Sequence, residues 1–165
     1  MFEIKRKLDV KAEDFFEKLS DSLVFDITAA TGKNVRVNQI SEGYKYTKKL
    51  KTKTGKSGNV KVTITKFEAP KVYASTFTSA QGDNFISYEI NKLSDEQIEV
   101  VYTEDYKGTS NAKDLNAKVM QFLYKRGNKK RINKLLTKME AFILNEYEEK
   151  EMLAEEQNIK DQASE

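Results

Sequence analysis

Phe2, Ile4, Leu8 and Val10 alternate with Glu3, Lys5, Lys7 and Asp9, the two-residue period of a half-buried strand, and only Arg6 breaks the inward row. At Ala12 the period changes. Phe16, Leu19, Leu23 and Ile27 recur at helical spacing, Phe15, Val24 and Ala30 widen the stripe, and Gly32 stops it. The pattern fits one helix or two short ones divided near Ser20-Asp21-Ser22, where serine and aspartate are natural caps.

Beyond Gly32 the chain turns β-like for about seventy residues. Strands are expected at 43–53, 59–68, 72–79, 84–93 and 97–106, with a weaker one at 35–40. The connections at 54–58, 69–71, 81–83 and 94–96 carry turn chemistry and are short enough for hairpins. An antiparallel meander with one wet face follows: Val60, Val62, Ile64, Ile86, Tyr88 and Ile90 point inward, while Lys61, Thr63, Thr65, Ser87 and Glu89 point outward. From about Asn111 the helical period returns. Leu115, Val119, Phe122 and Leu123 form one stripe, and Ile132, Leu135, Leu136, Met139, Phe142 and Ile143 form another. A single glycine costs a helix only about 1 kcal/mol, so the expectation is one long helix with Gly127 as the place for a kink. Residues 1–147 make one domain, and 148–165 an acidic helix end or disordered tail.

The order is strand, helix, β meander, long helix. A two-layer α+β domain buries it simply, with a curved antiparallel sheet of six or seven strands wrapped on the C-terminal helix. The paired strands ending Ser87-Tyr88-Glu89-Ile90 and Val101-Tyr102-Thr103-Glu104, with the opening strand leading into the helix at Ala12, resemble the START-like helix-grip superfamily of lipid-transfer proteins and polyketide cyclases. Over residues 1–147, Thr31-Gly32-Lys33, Thr65-Lys66-Phe67-Glu68, Tyr102-Thr103-Glu104 and Phe122-Leu123-Tyr124-Lys125-Arg126 are similar to a family of small bacterial cytoplasmic proteins of unknown function. That resemblance implies a hydrophobic cavity between sheet and helix. It transfers no reaction, and this chain has no histidine to match the cavity histidines of the cyclases.

Composition narrows the chemistry. The 165 residues hold no Cys, His or Trp, which excludes Cys/His metal sites, His general-base catalysis, Cys nucleophiles, the Ser-His-Asp triad and disulfides. The chain is expected to be non-enzymatic and free of cofactor and metal. Gly55-Lys56-Ser57 imitates a phosphate loop, but Leu50 stands where the first glycine belongs and a strand follows instead of a helix. The longest apolar run, Ala141-Phe142-Ile143-Leu144, cannot span a bilayer, and Met1 leads straight into a strand pattern, so a cytoplasmic protein is expected.

The candidate ligand wall is Tyr44, Tyr46, Tyr73, Phe77, Tyr88, Tyr102, Met120 and Leu123, because a tyrosine offers an apolar body and an orienting hydroxyl. The expected occupant is a small hydrophobic or amphipathic molecule in a cavity of some hundreds of Å³. The same residues would equally fill a core. Glu104 shares the face of Tyr102 and is the candidate polar anchor, or a strand-end residue at the solvent rim paired with a lysine; if Glu104 and Arg6 both face inward, they are expected to pair. Residues 148–165 carry a net charge of −5 in a chain of +3, leaving +8 on the remainder. Lys125, Arg126, Lys129, Lys130 and Arg131 make a basic helix face. It suits a solvated outer surface or, in an interaction module with a collapsed cavity, a protein partner, a second copy of the chain or an anionic membrane surface; nucleic acid is not expected, and an acidic tail folding back weakens either polyanion reading.

Overall fold

The computed structural model describes residues 1–51, 57–108 and 115–163, with side chains over 1–49, 58–108 and 127–163. Its elements are β1 (Phe2–Leu8), α1 (Ala12–Thr31), a 3-10 turn (Val37–Gln39), β2 (Lys45–Lys51), β3 (Ser57–Glu68), β4 (Val72–Ser79), β5 (Gly82–Lys92), β6 (Ile98–Gly108) and α2 (Leu115–Gln162). The strands form one curved antiparallel sheet in the order β1-β6-β5-β4-β3-β2, so a five-stranded meander is closed at one edge by the first strand. The α+β helix-grip arrangement expected from the sequence is the one observed.

Register fixes which side chains face the helices. Ile4 lies opposite Tyr102, Tyr102 opposite Tyr88, Tyr88 opposite Tyr73, and Tyr73 opposite Phe67, one inward row across five strands. A bulge between Ile64 and Lys66 makes this possible, since it changes the phase of β3 so that Ile64 and Phe67 both face in. The β4–β5 hairpin closes at Gly82, where φ is 140° and an added Cβ would lie 2.2 Å from the Lys107 carbonyl oxygen. Only glycine fits there.

Three expectations need correction. The first helix is continuous from Ala12 to Thr31, because the Ser20 hydroxyl donates to the Phe16 carbonyl at 2.8 Å instead of capping a second helix. The segment 35–40 is not a strand but carries the 3-10 turn, closed by Arg36 N–H donating to Gln39 Oε1 at 2.9 Å. Leu135 and Phe142 lie outside the buried stripe of α2. That stripe is Ile132, Leu136, Met139, Ile143 and Tyr147, spaced four, three, four and four, and Phe142 is 56% exposed. Gly127 does not interrupt α2, which runs for 48 residues, and every described residue from 148 onward is exposed.

Polar contacts fix the seat of α2. Arg6 faces the helix and its Nη1 donates to the Asn133 carbonyl at 2.7 Å and to Thr137 Oγ1 at 2.6 Å. The Asp9 N–H donates to Glu140 Oε1 at 2.8 Å, Lys18 Nζ meets Glu146 at 3.0 Å, and the Tyr147 hydroxyl donates to Asp14. Leu136→Ala, which empties a fully buried position, should lower the unfolding free energy by about 2–5 kcal/mol. Leu144→Ala, at a position 36% exposed, should cost less than about 1 kcal/mol; denaturant unfolding of the pair measures the difference.

Candidate functional site

The inward row of the sheet is an aromatic wall. Ring centroids are 6.0 Å apart for Phe2–Tyr102, 4.9 Å for Tyr102–Tyr88 and 6.2 Å for Tyr88–Tyr73, and Phe67 links Tyr73 to Phe16 of α1. Tyr73, Tyr88 and Tyr102 therefore stand together as the sequence suggests. Tyr44, Tyr46 and Phe77 form a second group toward β2. There the Tyr46 hydroxyl is committed to Asp26 of α1 at 2.5 Å, Lys48 pairs with the same carboxyl group at 2.8 Å, and Lys48 Nζ sits 5.2 Å from the centre of the Phe77 ring. Met120, Leu123, Lys125 and Arg126 lie outside the residues whose side chains are described.

Glu104 stands at the end of the wall and is 3% exposed. Its Oε2 accepts from the Tyr102 hydroxyl at 3.0 Å, and its Oε1 from Asn84 Nδ2 at 2.9 Å and from Asn128 Nδ2 at 3.4 Å. Arg131 Nη2 lies 3.9 Å from Oε2. The expected pairing of Glu104 with Arg6 is absent, because Arg6 is held on α2 about a turn farther along, beside Asn133 and Thr137. Arg131 also departs from its expected place as plain surface charge: it is exposed, like Lys129 and Lys130, yet its head reaches the buried carboxyl group.

Sequence reasoning missed Asn84 and Asn128. The signal for Asn84 is its phase, since it precedes Ile86, Tyr88 and Ile90 on the inward face of β5. Asn128 stands four residues before Ile132, on the buried side of α2. Among the described residues Asn84 Oδ1 is buried and has no hydrogen-bond partner. A buried carbonyl oxygen in that state costs about 1–3 kcal/mol, which a donor placed beside it would recover.

An open cleft of about 1150 Å³ lies elsewhere, over the outward face of β4 and β5 and the start of α1. None of the expected wall residues lines it. Small side chains make the depression: Ala74 lies opposite Ser87 and Ser87 opposite Thr103, with Phe85 and Val72 rising on either side. Among the described residues no three acidic side chains converge as metal ligands. No helix of the described residues is long and apolar enough to cross a membrane.

Burial pushes the phenols of Tyr46, Tyr73, Tyr88 and Tyr102 above the ordinary 10, and the hydrogen bond to Asp26 adds to the effect at Tyr46. Tyr147 is pushed up to about 12 by burial and by its bond to Asp14. The folded chain thus holds these protons more tightly than the unfolded one. Their contribution to stability is complete below pH 10 and is lost as pH rises through the folded values. In an alkaline titration followed by tyrosinate absorbance, these five should ionise together with cooperative unfolding instead of near pH 10 in the intact fold.

A comparison with curated proteins finds no match. Among solved structures the chain is similar in fold to Ara h 8.0201, with a TM-score of 0.56 at 14% identity over 87% of this chain and 97% of that one. It is likewise similar to a conserved protein from Geobacillus kaustophilus, with a TM-score of 0.54 at 16% identity over 87% and 94% of the two chains. A protein from Arthrobacter aurescens solved by NMR gives 0.56 at 12% identity over 86% and 84%. These likenesses agree with the helix-grip fold. Residues 2–125 match the model of a domain of unknown function, DUF3284, and the chain belongs to that family.

Proposed function

We propose that this protein is a cytoplasmic, non-catalytic carrier of a small amphipathic molecule held between the concave face of the sheet and α2. The apolar body of the ligand lies on Tyr73, Tyr88 and Tyr102, and a hydrogen-bond-donating head, a hydroxyl or an amide N–H, meets Asn84 beside Glu104. The observation that carries this reading is the unmet acceptor of Asn84 in a polar cluster set into an aromatic wall, with Asn128 and Arg131 reaching into it from α2. The superfamily resemblance supports it, because helix-grip proteins of that kind hold cavities between the same two layers. A carrier needs no general base or nucleophile, which agrees with a chain that has no His or Cys.

Native mass spectrometry of freshly purified protein, followed by organic extraction, tests the reading directly. A reproducible excess mass that extracts as a small molecule is expected. Added long-chain alcohol should bind more tightly than the fatty acid of equal length, and Asn84→Ala should weaken the alcohol by about tenfold while Asn84→Asp restores less than half of the loss in free energy. An apo mass with no binding of long-chain alcohols, fatty acids or isoprenoids would remove the proposal.

A further inference from the structure

Strand β5 presents to the concave site two polar groups that the fold leaves unanswered, and they are opposite in sense. Asn84 Oδ1 is a buried acceptor without a donor. The bond from Asn84 Nδ2 to Glu104 fixes which end of the amide is which, since a carboxyl oxygen takes only the N–H end. Tyr88 is a donor without an acceptor: it is 6% exposed, and among the described residues its hydroxyl makes no hydrogen bond. The other buried tyrosine hydroxyls are satisfied, Tyr73 by Ser75 Oγ at 2.9 Å, Tyr102 by Glu104 and Tyr46 by Asp26. A buried polar group without a partner is costly, so both groups call for one from outside the chain.

Register brings the two together. On the inward face each satisfied wall tyrosine reaches two positions along its strand, Tyr73 to Ser75 and Tyr102 to Glu104. Ser75 and Glu104 are the two cross-strand neighbours of Ile86, so both tyrosines lean toward the row that holds Ile86. Tyr88 stands between them, its ring 23° from parallel to that of Tyr73, and leans the same way. Beyond the burial that raises it, the Tyr88 phenol is acted on by Tyr73, Arg131 and Glu104, which places its oxygen among those three. Asn84 approaches from the other side of Ile86, its amide already on Glu104. The unmet donor and the unmet acceptor converge over one residue.

We infer that the head of the ligand accepts a hydrogen bond from Tyr88 while donating one to Asn84, so that these two residues together select a neutral alcohol. This deepens the carrier reading and rests on it. A hydroxyl is donor and acceptor at a single atom, as two converging groups of opposite sense require. A carboxylate or an ether only accepts and leaves Asn84 unmet, whereas an ammonium only donates and leaves Tyr88 unmet. Discrimination of this kind is strong because the wrong head strands a buried group of the site.

Tyr88→Phe removes the hydroxyl and keeps the ring. In denaturant unfolding of the ligand-free protein its midpoint should be no lower than the parent's, whereas Tyr102→Phe, which breaks the bond to Glu104, should lower it. Titration calorimetry with decanol, its methyl ether and chlorodecane separates the two contacts. Tyr88→Phe should weaken the alcohol and the ether by about tenfold each, Asn84→Ala should weaken the alcohol alone, and chlorodecane should be indifferent to both. Decanol bound as tightly by Tyr88→Phe as by the parent overturns the inference and leaves the carrier reading standing. So does a Tyr88→Phe protein that loses stability as Tyr102→Phe does, or one that weakens all three probes alike, which makes the ring and not the hydroxyl the contact. A parent that binds fatty acids or isoprenoids but no alcohol sinks the inference alone; one that binds none of them sinks the carrier reading with it.

Discussion

The seat of α2 on the sheet is the contact on which the rest depends. Ile132, Leu136 and Ile143 have essentially no exposed surface, and each fully buried aliphatic side chain stabilises by roughly 1.5–3 kcal/mol relative to exposure. They occupy one face of the helix and reach one face of the sheet. Arg6 turns this from a greasy contact into a specific one, because its two bonds to Asn133 and Thr137 fix where along α2 the first strand docks. Asn128 and Arg131 are thereby delivered to Glu104, on the far side of Ile132 from the Arg6 contact.

The buried polar groups of the wall sit where an all-apolar core would be the simpler solution. Glu104 is almost fully buried among aromatic rings and is satisfied by a tyrosine hydroxyl and two carboxamides from three separate elements. Removing any of these partners leaves charge or dipole unanswered in a low-dielectric setting, so the cluster ties the orientation of α2 to that of β5 and β6. Tyr46 and Tyr147 do similar work at the other corners, where each donates a hydrogen bond to an aspartate on α1. Tyr46 thus ties α1 to β2 and Tyr147 ties α2 to α1, in a chain that has no disulfide to do so.

The buried stripe of α2 ends where the domain does, since steps of four, three, four and four keep Ile132 to Tyr147 packed against it. Beyond Tyr147 the helix has left the domain, and contacts such as Gln157 Nε2 to Asp161 at 2.8 Å are local. Isolated helical segments of that length are marginal in water, so this end draws its helicity from continuity with the packed part of α2.

The sequence by itself determined the elements and their order, because periods of two and 3.6 and the turn residues between them are local properties. Alternation identified Tyr73, Tyr88 and Tyr102 as one inward face, and strand ends fell within a few residues. It could not separate Leu136 from Leu135 or Ile143 from Phe142, since a broad apolar stripe does not say which edge meets the sheet. Tertiary structure decided that through the position of β1. It also decided the site: whether Glu104 meets Arg6, a lysine or two asparagines depends on the crossing of α2 over β5 and β6, and Asn84 and Asn128 are 44 residues apart in a chain that carries no pairing information along its length. The bulge at 64–66 is the last such case, where one unpaired residue turned Phe67 inward and completed a wall that strict alternation would have broken.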